Sequence, residues 1–116
     1  MDEIELVSAD PGWPQQYAAE RARLLAALAA VPVSDIAHIG STAIAGMPAK
    51  PIIDILIAVP SLSAARETFT ALLAPLGYLF WAENPATDRL FFVRGLPPHG
   101  ERRTHHVHVC IANSDV

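Results

Sequence analysis

Apolar residues recur at helical spacing from Trp13 onward: Tyr17, Leu24, Leu25 and Leu28 fall near one stripe, with Glu20, Arg21 and Arg23 interleaved. This predicts a first helix starting near Trp13-Pro14, where a proline costs no hydrogen bond, and ending at Val31-Pro32. Trp13 and Tyr17 read as core contacts. Glu20 reads as a solvated helix acid, or as one that reaches a site from a turn off the stripe. Ahead of the helix, Ile4, Leu6 and Val7 predict an extended lead-in closed by an Asp10-Pro11-Gly12 turn.

The period then changes. Asp35 to Ile39 reads as a first central strand. Ile52 to Val59 is an apolar, largely β-branched run that predicts a strand buried on both faces. Between them, Gly40 to Pro51 is a loop with room for a helical turn. Ser61 or Ser63 caps a second helix whose apolar face is Leu62, Ala65, Phe69, Leu72, Leu73 and Leu76, with Gly77 closing it. Tyr78 to Trp81, Arg89 to Arg94 and Arg103 to Ile111 read as strands, separated by a polar turn at 83–88 and a loop at 95–102. Helix, strand, strand, helix and three strands make an α+β domain with a mixed sheet rather than a doubly wound one.

Composition adds limits. A chain of 116 residues supports one core, hence a single domain over 1–116. No apolar run is long enough to cross a bilayer, so no membrane partner is expected. The acidic start, Met1-Asp2-Glu3, is unlike a signal peptide. The single cysteine, Cys110, suits a reducing compartment, and a cytoplasmic location is the expectation. A formal net charge of −4 disfavours general nucleic-acid binding. The charge is uneven, however. Arg89, Arg94, Arg102, Arg103 and four of the five histidines stand against one acid, Glu101, between positions 89 and 108. Such a segment either meets an anionic small molecule or forms a solvated basic loop.

Two stretches carry candidate chemistry. Asp54 is the one acid within the apolar strand, and its burial requires pairing, hydrogen bonding or a cation. Gly40-Ser41 follows a predicted strand and offers backbone N–H groups in a tight turn suited to an anion. In the second stretch, strand alternation puts His106 and His108 on one face and His105 on the other with Val107 and Val109. The first two histidines read as a metal pair, a phosphate-contact pair or residues of a wet sheet edge, and Asp54 is the obvious third metal ligand. Cys110 has no evident paired base. The Gly40-Ser41-Thr42-Ala43 turn lacks both a P-loop ending and the second glycine of a nucleophile elbow.

These stretches resemble the GrpB family. The resemblance rests on His38-Ile39-Gly40-Ser41-Thr42-Ala43 with Gly46, on Ala49-Lys50-Pro51-Ile52-Ile53-Asp54-Ile55, and on Arg103 with His105-His106-Val107-His108-Val109. Asp10-Pro11, Trp13-Pro14, Glu20 and Leu76-Gly77-Tyr78 extend it over nearly the whole chain. It implies a nucleotidyltransferase-like fold, a mixed β-sheet flanked by helices. It also implies a loosely defined role, because some relatives are fused to a dephospho-CoA kinase. Nucleotidyltransferases follow the Gly-Ser turn with an Asp-x-Asp/Glu strand; here Asp54 matches the first acid and Leu56 replaces the second. Similar proteins continue into a helical C-terminal region, so a chain ending at Val116 is expected to be a short member or a fragment.

The resulting expectation is a divergent nucleotidyltransferase-like protein that acts on or binds a nucleotide or related phosphorylated small molecule. Gly40, Ser41, Thr42, Lys50 and Arg103 would hold phosphate. Asp54 would be catalytic and, with His106 and His108, would bind a divalent metal: magnesium, manganese or zinc. The alternative is a non-catalytic nucleotide-binding or interaction module accessory to an enzyme such as dephospho-CoA kinase. Homo-oligomerisation is also expected, through edge pairing or a shared apolar face at Val107, Val109 and Ile111.

Overall fold

The computed structural model describes residues 6–81, 89–97, 100 and 102–112. Ile4 of the lead-in, the predicted turn at 83–88, Glu101 and the tail from 113 lie outside the described residues. Helix α1 spans Trp13–Ala27 and carries proline in its first turn. Strands β1 (Asp35–Ile39) and β2 (Ile53–Val59) follow. Helix α2 spans Leu62–Leu73, with the Ser61 hydroxyl accepting from the Ala64 N–H at its start. A short 3-10 turn, Ala74–Leu76, ends at Gly77, whose φ of 96° is a left-handed conformation open to glycine. Strands β3 (Tyr78–Phe80), β4 (Arg89–Arg94) and β5 (His105–Ile111) complete the sheet.

The sheet is mixed, in the order β1-β2-β5-β4-β3, and only the β2–β5 pair is parallel. Two expectations change here. β1 is an edge strand rather than a central one. β2 is buried on one face and half-buried on the other, because Ile53, Ile55, Ile57 and Val59 are buried while Asp54, Leu56 and Ala58 between them are not. A continuous apolar run does not report which face the helices cover. Both helices pack on the face of Ile53, Ile55 and Ile57, where Trp13 and Leu24 of α1, with Leu28 just past its end, meet Ala65, Phe69 and Leu73 of α2.

The same packing corrects the proposed self-association surface. β5 sits between β2 and β4, so it offers no free edge, and Val107 and Val109 are fully buried beneath the helices. Of the three residues named, only Ile111 is exposed, at 44%.

Glu20 also departs from its sequence reading. It is 3% exposed and sits within the stripe, seven residues after Trp13 and four before Leu24. Its carboxylate accepts from the Tyr78 hydroxyl at 2.6 Å, from Arg23 at 3.0 Å and from Arg94 at 3.3 Å. Arg94 donates further to the Leu76 carbonyl, and to Nδ1 of His105 at 3.3 Å. Nδ1 of His105 also lies 2.8 Å from the Thr104 hydroxyl, which itself donates to the Arg94 carbonyl. Burial, with help from Arg94, Arg23 and His106 against the opposing pull of Glu20, lowers the His105 pKa to about 4. The unfolded chain then binds more protons than the native one between about pH 6.5 and about 4. Stability is therefore expected to fall as pH drops through that window, by at most about 3 kcal/mol. Urea denaturation at stepped pH checks this, and His105→Gln should flatten the dependence.

Candidate functional site

The candidate residues meet on the face of the sheet opposite the two helices. Asp54 on β2 is level with His106 on β5, and Leu56 is level with His108. Strand alternation brings all of them to the face opposite the helices, as the histidine spacing predicts, while His105 turns to the helix side. Oδ1 of Asp54 lies 3.3 Å from Nδ1 of His106 and 3.4 Å from Nε2 of His108. Metal-capable atoms of the three residues all fall within 4.8 Å of one another, which is the one such grouping of three or more among the described residues. Phe91 on β4 packs against both imidazoles, with ring centroids 5.0 and 4.9 Å away, and forms an apolar wall.

Burial raises the Asp54 pKa, but hydrogen bonds and positive charge from His106 and His108 outweigh it and hold the group at about 2. The carboxylate is thus anionic at neutral pH. Gly40 lies directly beneath it, at a φ of 76°, and a Cβ placed on Gly40 would come 2.8 Å from Oδ2 of Asp54. Only glycine suits both the backbone and the space. Gly40→Ala is expected to displace the Asp54 carboxylate and to destabilise the domain by roughly 1–3 kcal/mol. Thermal denaturation checks the cost, and chemical-shift changes at His106 and His108 check the displacement.

Next to Asp54, Leu6, Ser41, Thr42, Ala49, Lys50, Ile52 and His106 complete a cleft of about 250 Å³. Its rim is tied down. The lead-in and the 40–50 loop are joined by paired bonds between Val7 and Ala49, at 2.9 and 3.0 Å. Ser41–Ala43 forms a 3-10 turn, and Thr42 is buried with its hydroxyl 2.8 Å from Nε2 of His38. His38 is stacked on Tyr17 of α1, with ring centroids 4.8 Å apart. Burial lowers the His38 pKa, partly opposed by the charge of Asp54. Its positioning contact with Thr42 is missed by a residue-type search, although four residues separate the pair in sequence.

Ser41, Thr42, Lys50, Asp54 and His106 therefore share one cleft, with Gly40 and His108 against Asp54. Arg103 is elsewhere. It precedes β5 rather than starting it, and its guanidinium lies over the Trp81 ring, 5.6 Å from the centroid. Arg94 faces the buried Glu20. The basic segment is thus divided between two sites by the turn of the backbone.

With this geometry in place, comparison with known proteins is decisive for the family. The GrpB protein family model matches residues 3–116. The chain belongs to the GrpB family. A GrpB relative, UPF0157 protein PA4798 of Pseudomonas aeruginosa, is 54% identical over 108 residues, covering 93% of this chain and 44% of that protein. UPF0157 protein YqkA of Bacillus subtilis is 37% identical over 106 residues, covering 91% of this chain and 29% of that one. This chain thus spans less than half the length of either. A dephospho-CoA kinase of Mycobacterium tuberculosis is 44% identical over 74 residues, which are 60% of this chain and 17% of the kinase. The crystal structure of conserved protein GrpB from Enterococcus faecalis superimposes with a TM-score of 0.82 at 27% identity, covering 95% of this chain and 63% of that one. The fold is nucleotidyltransferase-like α+β, as the GrpB resemblance implies.

That fold family implies two hard metal ions held by carboxylates, and the residues present do not fit such a pair. Leu56 stands where the second acid belongs, and on the adjacent strand His106 and His108 supply nitrogen where oxygen would be needed.

Proposed function

We propose that this domain recognises the phosphate of a nucleotide or a related phosphorylated small molecule, assisted by a divalent metal at Asp54, His106 and His108. The observation that carries the reading is one cleft lined by Ser41, Thr42, Lys50, Asp54 and His106. Hydroxyls and one ammonium are suited to an anion, and the carboxylate and imidazole alongside are suited to a cation that would neutralise it. Asp54 is the residue best placed to act on a ligand in that cleft.

A second reading keeps the binding and drops the catalysis, as a module accessory to an enzyme such as dephospho-CoA kinase. Leu56 favours it, because its side chain cannot hold a second ion. The 74-residue similarity to a protein named dephospho-CoA kinase is in keeping with it.

Calorimetric titration with a panel of nucleotides, pyrophosphate and dephospho-CoA, with and without divalent metal, tests the shared part. Binding of at least one phosphorylated ligand is expected. Lys50→Ala should weaken it about 10- to 100-fold, the worth of one charge-assisted hydrogen bond. A silent panel would overturn the proposal, and product analysis separates the enzyme from the module.

A further inference from the structure

We propose that Asp54, His106 and His108 hold a single four-coordinate ion of the zinc class, with its fourth position open to the cleft, and that the site discriminates against magnesium. The inference deepens the preceding reading and depends on it only for what occupies the fourth position.

Distance is the first argument. Charge-assisted hydrogen bonds between nitrogen and carboxylate run at about 2.7–2.9 Å. The two contacts to Oδ1 of Asp54, at 3.3 and 3.4 Å, are long for that purpose. They are weak as hydrogen bonds, and the same spacing suits donors around a shared cation. With metal–donor bonds of about 2.0–2.2 Å, neighbouring donors of a tetrahedral ion lie roughly 3.3–3.6 Å apart. Adjacent donors of an octahedral magnesium ion lie closer, at about 2.8–3.0 Å. The two histidine donors, within 4.8 Å of each other, need to approach by up to roughly 1.4 Å to share one tetrahedral ion.

Ligand chemistry is the second. Two imidazoles and one carboxylate are a borderline donor set that suits zinc, cobalt or iron, whereas magnesium keeps oxygen ligands and water. Three protein ligands with an open place form the arrangement of zinc sites that bind a substrate oxygen.

The surroundings are the third. Nε2 of His106 and Nδ1 of His108 are buried without a hydrogen-bond partner among the described residues. These are the nitrogens turned away from Asp54; the ones that face it, Nδ1 of His106 and Nε2 of His108, are those a shared ion would take. Phe91 packs on both rings and gives the site one apolar side. The side open to a ligand is the Asp54 and His106 wall of the cleft, where Ser41 and Lys50 stand. An anionic phosphate oxygen in the fourth position would meet the ion and the lysine together.

Cobalt(II) titration of tag-free, chelator-treated protein, without nucleotide, tests this. One equivalent is expected to bind with the intense visible absorption of four-coordinate cobalt, to be displaced by zinc, and to resist a large excess of magnesium. His106→Ala and His108→Ala should each weaken cobalt binding at least about tenfold and change the spectrum. His106→Gln and His108→Gln, which keep more of the ring's volume, should behave alike, and circular dichroism verifies that each variant is folded. Cys110→Ser should leave the band in place, because Cys110 is outside the triad. Absence of the band, uptake of two ions, displacement by equimolar magnesium, or a band that survives in folded His106 and His108 variants would overturn the proposal. Phosphorylated ligand bound with magnesium alone would leave the functional reading standing while this inference fails. A cobalt site with a silent nucleotide panel would do the reverse.

Discussion

Glu20→Ala is expected to cost about 3–5 kcal/mol of folding stability, the usual penalty for removing one member of a buried ion pair. The carboxylate is shared by Tyr78, Arg23 and Arg94, and its loss leaves the inward-facing Arg94 guanidinium without its anion and the Tyr78 hydroxyl without its acceptor. Burial and the Glu20 carboxylate both push the Tyr78 hydroxyl well above its ordinary pKa, so the phenol remains a donor. Two subordinate results separate charge from hydrogen bonding. Tyr78→Phe removes one donor to the Glu20 carboxylate and is expected to cost about 1–3 kcal/mol. Arg23→Ala should cost less, about 0–1 kcal/mol, because 42% of the Arg23 side chain is exposed and solvent screens the pair. Urea unfolding of the three variants gives the ranking. Equal losses from Glu20→Ala and Arg23→Ala would mean that Arg94 is not the principal partner.

Asp54→Asn is expected to reduce divalent-metal affinity by about two orders of magnitude or more, beyond what the loss of a supporting contact around a ligand costs. The fold should remain nearly intact. Asparagine keeps an acceptor facing His106 and His108, and 29% of the Asp54 side chain is already exposed. The pH dependence provides an independent check. Asp54 has a pKa of about 2 in the folded chain, below that of an unfolded aspartate. Its contribution is therefore present above about pH 4 and is lost as pH falls through about 2. Stability curves of the two proteins should differ at neutral pH and converge in strong acid. A variant that is strongly destabilised yet binds metal normally would contradict the role given to Asp54.

Both expected results depend on residues whose meaning differs between sequence and structure. Periodicity was enough for the elements: α1, β1, β2, α2, β3, β4 and β5 follow the order in which the 3.6- and 2-residue patterns alternate. It also separated His105 from His106 and His108, because successive strand residues face opposite ways whatever surrounds them. The glycine turn, Lys50 and Asp54 were legible as residue types suited to an anion and a cation. Glu20 was misplaced although its spacing from Trp13 and Leu24 already put it within the stripe, because a carboxylate there is stable only with partners 58 and 74 residues away.

What the chain determined by itself was therefore local: which segments form helices and strands, and which strand residues share a side, while the ends shifted, as where α1 stops at Ala27 rather than at Val31-Pro32 and β5 starts at His105 rather than Arg103. Tertiary structure alone decided which side the helices cover. It decided that β5 inserts beside β2, a parallel pairing that brings Asp54 level with His106 and buries Val107 and Val109. It also decided that Arg94 turns inward to Glu20 and that Arg103 lies over Trp81. The physical reason is that side-chain alternation is a property of neighbouring peptide units, whereas strand order and charge pairing depend on contacts between segments distant in the chain.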